Sequence, residues 1–385
     1  MKILNLISTL GHGRGGHFYD LITITQELQK KISITTVNIC KQESEVLNSS
    51  KINLINLKFN GLNIVLVVIK LIRIVKSNKI THINCYDLNG LPFANILSFF
   101  FKIKIIYTKC GGPNPKGYYP GLDNLLLMSK ENFSFFDKNE KYKLTNKVLI
   151  PNRVNNLIVD YERIESLKNL IGNPKKIILR ISRITDHYES TLMQTVNLYN
   201  SLNLKDKETT LLIIGVVQED DLLLKLQNQV KNIEKAFFIT DDFYTLNASE
   251  LIPIADVVVG TGRGVMEASF FNKILLTPLK DCKYPVLISE ANFEELFQTN
   301  FSPRNHDENY NEIKNLSNIE SCLNDGIFYN KNIDFVKSIR KEYFDVSSVN
   351  IKYYNFFKKC SFPKFRIYDF IRLTLSVIIK FINII

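Results

Sequence analysis

The chain has 385 residues, enough for two domains of about 150 to 200 residues each with full cores. Lys and Arg outnumber Asp and Glu by 49 to 38, and the resulting +11 suits nucleic acid, anionic lipid or phosphorylated ligands without choosing among them; many Ile, Lys and Asn residues with no Trp assign part of that basicity to an AT-rich genome. The six cysteines, Cys40, Cys85, Cys110, Cys282, Cys322 and Cys360, form no close pair, which argues against a zinc knuckle or a disulfide framework and for reduced cytosolic thiols.

The first residues, MKILNLIST, carry one Lys and a short apolar run before Gly11, so they read as a first strand and not as a signal peptide. Strand-like runs follow at residues 2–8, 33–40, 52–57, 80–84 and 103–108, alternating with helical patterns at 17–30, 62–76 and 91–101, the signature of parallel βαβ units. Residues 148–150 close this first unit, and Pro151, Asn152 and Arg153 mark a linker. A second series has strands at 176–181, 210–215, 236–239, 256–259 and 274–277, with helices starting at Glu189, Glu219, Ser249 and Gly264. Two doubly wound α/β domains facing a cleft is the economical architecture, with ligands at the carboxyl ends of the strands.

Two glycine-rich turns sit at such ends. STLGHGRGGHF at 8–18 brings Gly11, Gly13, Gly15 and Gly16 between the first strand and first helix, with Arg14 and His17 as polar contacts for a sugar or phosphate. Its GxGxGG spacing is not a dinucleotide fingerprint, and no acidic residue ends the second strand near Cys40, which disfavours an oxidoreductase. ADVVVGTGRGVMEAS at 255–269 runs a strand without alternation, Val257, Val258 and Val259, into Gly260, Gly262 and Gly264 and then a helix. A diphosphate suits that turn: Arg263 adds a forked cation, and Glu267, one turn into the helix, can accept hydrogen bonds from a ribose diol. A glycine-eased connection with a surface Arg and Glu has the same pattern.

Taken in order, these segments resemble the large retaining group of GT-B glycosyltransferases, family 4-like, which move a sugar from a nucleotide diphosphate sugar to an acceptor. The resemblance rests on the loop after the first strand, TKCGGPNP at 108–115, LLMS at 126–129, IPNRVN at 150–155, ILRISRIT at 178–185, LLIIG at 211–215 and ELIPIADVVVGTGRGVMEAS at 250–269. It implies the GT-B fold of two Rossmann-like domains: an acceptor-side domain at 1–151, a nucleotide-sugar domain at 152–330, helices returning toward the first domain at 331–362 and an amphipathic helix at 363–385. By the same resemblance Gly15 and Gly16 line the donor side, Arg183 neutralises the diphosphate, Glu267 holds the ribose, and Gly264 and Val265 offer amides to the distal phosphate. Arg14, His17, Cys110, Gly111 and Gly112 fall on the acceptor side. The donor is the substrate, and no cofactor, metal or nucleic acid is implied.

Three positions depart from the family pattern. Val259 stands eight positions before Glu267, where a second glutamate touches the donor sugar; Tyr188 stands about five positions after Arg183, where a lysine shares the phosphate charge; and Cys110 replaces a histidine before the paired glycines. Arg263, in the turn itself, can replace the missing lysine, making Arg183 and Arg263 the expected catalytic cations. His12, His82 and His306 lack partners at ligand spacing, His187 lies near Arg183, and Asp241 and Asp242 read as a solvated loop.

In KFRIYDFIRLTLSVIIKFINII, residues 364–385, Arg366, Asp369, Arg372, Ser376, Lys380 and Asn383 recur at spacings of three, three, four, four and three, a polar stripe on an otherwise aliphatic helix. A membrane span needs about 20 mostly uncharged residues, and Arg372 and Lys380 interrupt this one. Two readings stand: a helix lying on an anionic membrane surface, which the large aliphatic face favours, or one packing its apolar face onto the first domain. Residues 62–76 carry Lys70, Arg73 and Lys76 beside an apolar body and lean the same way, although burial as a sheet-covering helix better accounts for their aliphatic residues. The expected function is therefore transfer onto a lipid-linked glycan in bacterial surface polysaccharide assembly, in the cytoplasm at the inner face of the membrane. A catalytically silent GT-B subunit and a nucleotide sugar epimerase of the same fold are the alternatives.

Overall fold

The computed structural model describes residues 1–11, 13–155, 157–203 and 208–382; His12 and Asn383 lie outside them. The chain forms two compact units, Met1–Arg153 with Val346–Ile385, and Val154–Asp345.

The first unit is built on seven strands: β1 (Lys2–Thr9), β2 (Ser33–Cys40), β3 (Leu54–Lys58), β4 (His82–Cys85), β5 (Lys104–Lys109), β6 (Asn124–Leu127) and β7 (Asn146–Leu149). All pairings are parallel, in the order β3-β2-β1-β4-β5-β6-β7. Their aliphatic runs lack polar alternation because helices cover both faces; β1 buries every residue from Ile3 to Thr9. The strand order reverses between β1 and β4, so the loops after these two strands flank a topological switch point.

The second unit carries β8 (Lys176–Ile181), β9 (Thr209–Ile214), β10 (Ala236–Ile239), β11 (Val257–Val259), β12 (Ile274–Thr277) and β13 (Val286–Leu287). The order is β10-β9-β8-β11-β12-β13, parallel except for β13, which runs antiparallel to β12. Val258 belongs to the core on one face of this sheet while Val257 and Val259 belong to the core on the other, which is why the run shows no alternation. Here the switch point falls between β8 and β11.

One boundary is corrected. The chain returns to the first unit at Val346, not at 331, because the helix Gly326–Ile339 buries Val336 and Ile339 in the second core beside Phe344. The returning helix Asn350–Lys359 then buries Tyr353, Phe356 and Phe357 against the first sheet's layer around Phe18, Leu21 and Ile24. The last helix, Ile367–Ile382, packs an apolar side onto the first unit, as the second of the two readings expects. It buries Leu373, Val377 and Phe381 in the core, with the Phe381 ring 4.7 Å from Phe59, and it turns Arg366 and Asp369 of its polar stripe to the protein as well. Asp369 accepts from the Tyr118 hydroxyl at 2.6 Å and the Gly121 N–H at 2.7 Å, Arg366 pairs with Asp123 at 2.8 Å, and the Arg372 guanidinium lies 3.9 Å from the Tyr118 ring centre. At about 100° per residue the helix has two apolar sides with a polar stripe beside the buried one. No helix among the described residues is long and apolar enough to cross a membrane.

Candidate functional site

The second switch point gathers the strongest sequence signals. β8 and β11 pair in register, Val257 with Ile178 and Val258 with Leu179, so the segment carrying Arg183 and the turn Gly260–Gly264 leave the same sheet edge from adjacent strands. Gly260 extends the ladder by donating to the Leu276 carbonyl at 2.8 Å. A Cβ on Gly260 would stand 2.8 Å from the Val265 nitrogen, so only glycine lets the helix start beneath it. Gly262, with φ +52 and ψ −121, occupies backbone space that side-chain-bearing residues avoid. Its N–H is held by the carbonyl of Phe301 at 3.1 Å, and Phe301 is itself a buried aromatic residue at φ +53. Two uncommon backbone conformations meeting at one turn mark a geometry that the surrounding fold enforces.

The helix Arg263–Phe270 begins with no side-chain cap. Of the two amides expected to face a distal phosphate, that of Gly264 is donated within the turn to Thr261 at 3.0 Å. Arg263 and Glu267, expected to act on diphosphate and ribose separately, are joined: Nε donates to Oε1 at 2.6 Å, and their side chains are only 12 % and 11 % exposed. Burial pushes the Glu267 carboxyl above the ordinary carboxylate range, with the Arg263 charge and hydrogen bond opposing. Arg183 is exposed after β8, and its guanidinium lies 5.5 Å from the ring centre of Tyr188, the residue standing at the expected lysine. His187 packs edge-on against the same ring at 4.8 Å. The tyrosine thus supplies no cation of its own and lies beside one.

Two residues of this site escaped sequence reasoning. Arg180 is fully buried in the fifth position of β8, donating to the Val259 carbonyl at 2.9 Å and to the Thr191 hydroxyl at 3.2 Å. Burial lowers its pKa to about 10. It fixes the end of β11 at Val259, the position where the resemblance leads one to expect a glutamate; a cation inside the apolar run IILRI is the available signal. Gly215 closes β9 so tightly that a Cβ there would stand 1.8 Å from the Ser182 carbonyl oxygen.

At the first unit's switch point, Gly15 caps the helix Gly16–Leu28 with φ −77, so neither a positive φ nor crowding of backbone fixes it as glycine. Gly13 is the constrained one, at φ +63 with Ser44 2.5 Å from its Cβ position. Arg14 pairs with Glu45, and His17 packs on Phe18 with its pKa lowered by burial. The loop after β4 closes on β1: half-buried Asp87 accepts from the Ser8 N–H at 2.6 Å and the Gly90 N–H at 3.0 Å, a link sequence reading missed. Cys110, Gly111 and Gly112 follow β5; burial raises the Cys110 thiol's pKa well above its usual value, and both glycines take positive φ while Lys109 and Asn132 bind their carbonyls. His82 is structural, within 3.1 Å of the Phe357 carbonyl with its pKa pushed down to about 4, His306 is exposed, and Asp241 caps the helix Asp242–Thr245.

No known family profile and no curated protein matches the chain. Solved structures do. A glycosyltransferase from Rickettsia africae aligns over 94 % of this chain and 99 % of its own with a TM-score of 0.67 at 16 % identity. The chain has the GT-B fold. Anabaena HepE, solved with UDP and glucose, aligns over 93 % of this chain and 100 % of its own at a TM-score of 0.63 and 16 % identity. The UDP-GlcNAc 2-epimerase of Neisseria meningitidis, bound to UDP-GlcNAc, aligns over 93 % and 100 % at 0.59 and 14 %. A GT-B fold therefore accommodates both transfer and epimerisation, and the reaction must be argued from side chains.

Proposed function

We propose that the chain is a glycosyltransferase that moves a sugar from a nucleotide diphosphate sugar onto a lipid-linked glycan in surface polysaccharide assembly, working in the cytoplasm at the inner face of the membrane. The observation that carries this reading is the constrained turn Gly260–Gly264 at the β8–β11 switch point, with Glu267 one helical turn behind it and Arg183 at the end of the neighbouring strand. Anions gather at such helix starts, and the ligands of doubly wound sheets sit at such points.

In this mechanism the Glu267 carboxylate accepts hydrogen bonds from the ribose diol while Arg263 turns toward the diphosphate. As the bond between sugar and phosphate breaks, negative charge builds on the leaving nucleotide. Arg183, steadied by the Tyr188 ring, and Arg263 stabilise that charge where it develops. Arg180 does not touch substrate; it holds the Val259 carbonyl and so the entry to the turn. HepE, solved with UDP and glucose, supports a sugar nucleotide as donor. The basic, apolar surface of the first unit supports an acceptor carried on lipid.

The test is nucleotide diphosphate release by purified protein across a panel of sugar nucleotides and lipid-linked acceptors. Release that needs an acceptor supports transfer; a folded protein that releases none across the panel counts against it. A silent subunit, the reading favoured by Val259, Tyr188 and Cys110, binds nucleotide without turnover. An epimerase alters the sugar with no acceptor present.

A further inference from the structure

The helix Ile367–Ile382 bonds Asp369 of its polar stripe inward and leaves an aliphatic row in solvent. Ile371, Leu375 and Ile379 are each more than half exposed, on the side opposite buried Leu373, Val377 and Phe381. A second exposed apolar row, Leu62, Val65 and Leu66, lies at the start of the helix Ile64–Asn78, whose other side buries Val67, Leu71 and Val75 in the same core. The two rows meet. Gly61, at φ +88, is pressed so closely by the last helix that a Cβ would stand 2.6 Å from Ile382 Cγ1 and 2.9 Å from the Ile378 carbonyl oxygen. Both helices bury their other side in the same core, so each carries an exposed apolar row on the outside of one layer of the first unit.

Charge identifies what covers it. The helix Ile64–Asn78 has no acidic residue and exposes Lys70, Arg73 and Lys76. In Ile367–Ile382 the one acid, Asp369, is bonded inward to Tyr118 and Gly121, while Arg372 and Lys380 stay exposed beside the stripe. Two copies meeting through this face would oppose like charges. An anionic bilayer supplies both an apolar layer for the aliphatic rows and negative headgroups for the cations.

We propose that these two helices form a single insertion face through which the first unit sits on an anionic lipid bilayer, the aliphatic rows entering the acyl boundary and Lys70, Arg73 and Lys76 contacting headgroups. The inference deepens the membrane partner proposed above and rests on that reading. It differs in that the last helix does not bind alone: its core contacts fix the angle of the face, and the other helix supplies half of it.

Vesicle co-sedimentation of the full chain tests it, using phosphatidylcholine vesicles with and without phosphatidylglycerol. The variants are Val65→Gln/Leu66→Gln, Ile371→Gln/Leu375→Gln and Lys70→Gln/Arg73→Gln, all at exposed positions, with unchanged circular dichroism as the check on folding. Wild-type protein is expected to bind anionic vesicles, and each apolar pair to lower partitioning about tenfold or more. The charge pair should remove the preference for phosphatidylglycerol. Absence of wild-type binding overturns the proposal, as does loss in the last-helix variant alone, or a dimer in sedimentation velocity that the same substitutions dissolve. Nucleotide binding, measured alongside, should be unchanged in all three variants, so failure of the lipid face and failure of the donor site are read separately.

Discussion

Removing Arg263 should destabilise the second unit in a manner that depends on pH. The pair with Glu267 is about nine-tenths buried on both sides, with Nε and Oε1 2.6 Å apart. Breaking a fully buried pair by deleting one partner costs about 3 to 5 kcal/mol, and the residual exposure here brings the expected loss for Arg263→Ala to about 2 to 3 kcal/mol. Glu267 has a folded-state pKa above its unfolded value because burial penalises the carboxylate, and Arg263 holds that rise in check. The folded chain therefore keeps this proton to higher pH than the unfolded chain does. The group's contribution is fully present below the ordinary carboxylate range and falls as pH rises to the folded pKa. Without Arg263 that window extends upward, so the deficit of Arg263→Ala against wild type should grow from acid to neutral pH. Adding Glu267→Ala removes the stranded carboxylate and should restore part of the loss. With no Trp in the chain, urea unfolding followed by far-ultraviolet circular dichroism is the suitable assay. A deficit equal at all pH values, or a double variant less stable than Arg263→Ala, refutes the reasoning.

Phe381→Ala should lower the stability of the first unit by about 3 to 5 kcal/mol, since the ring is buried among Phe59 and the helix cores, and thermal unfolding would show it. An unaffected transition would mean the last helix is not part of that core. Gly262→Ala should cost about 1 to 3 kcal/mol and weaken nucleotide binding together, because φ +52 with ψ −121 is closed to alanine without strain; the paired readout is urea unfolding and calorimetry on the same preparation.

Much of this was legible because parallel, doubly covered strands write themselves as uninterrupted aliphatic runs: β8, β10 and β12 were placed to the residue. β13, only two residues long and antiparallel, carries too little pattern to be seen. The Gly260–Gly264 turn was found from its glycines, whereas the pairing of Arg263 with Glu267 depends on rotamers that spacing allows but does not choose. Arg180 was passed over because its partners are backbone and hydroxyl oxygens, not a carboxylate that sequence could pair with it. The last helix was read as having one polar and one apolar face. Its sequence holds two apolar sides, and only the packing of Phe381 on Phe59 and of Asp369 on Tyr118 decides which faces outward.

The most direct test of the donor site is calorimetric titration of the full chain with nucleoside diphosphates, UDP first, alongside Glu267→Ala and Arg263→Ala. The account predicts that one of them binds the wild type and that each substitution weakens it about tenfold or more, equivalent to about 1.4 kcal/mol. Binding that both variants retain at full strength, or a wild type that binds none of them, would contradict it.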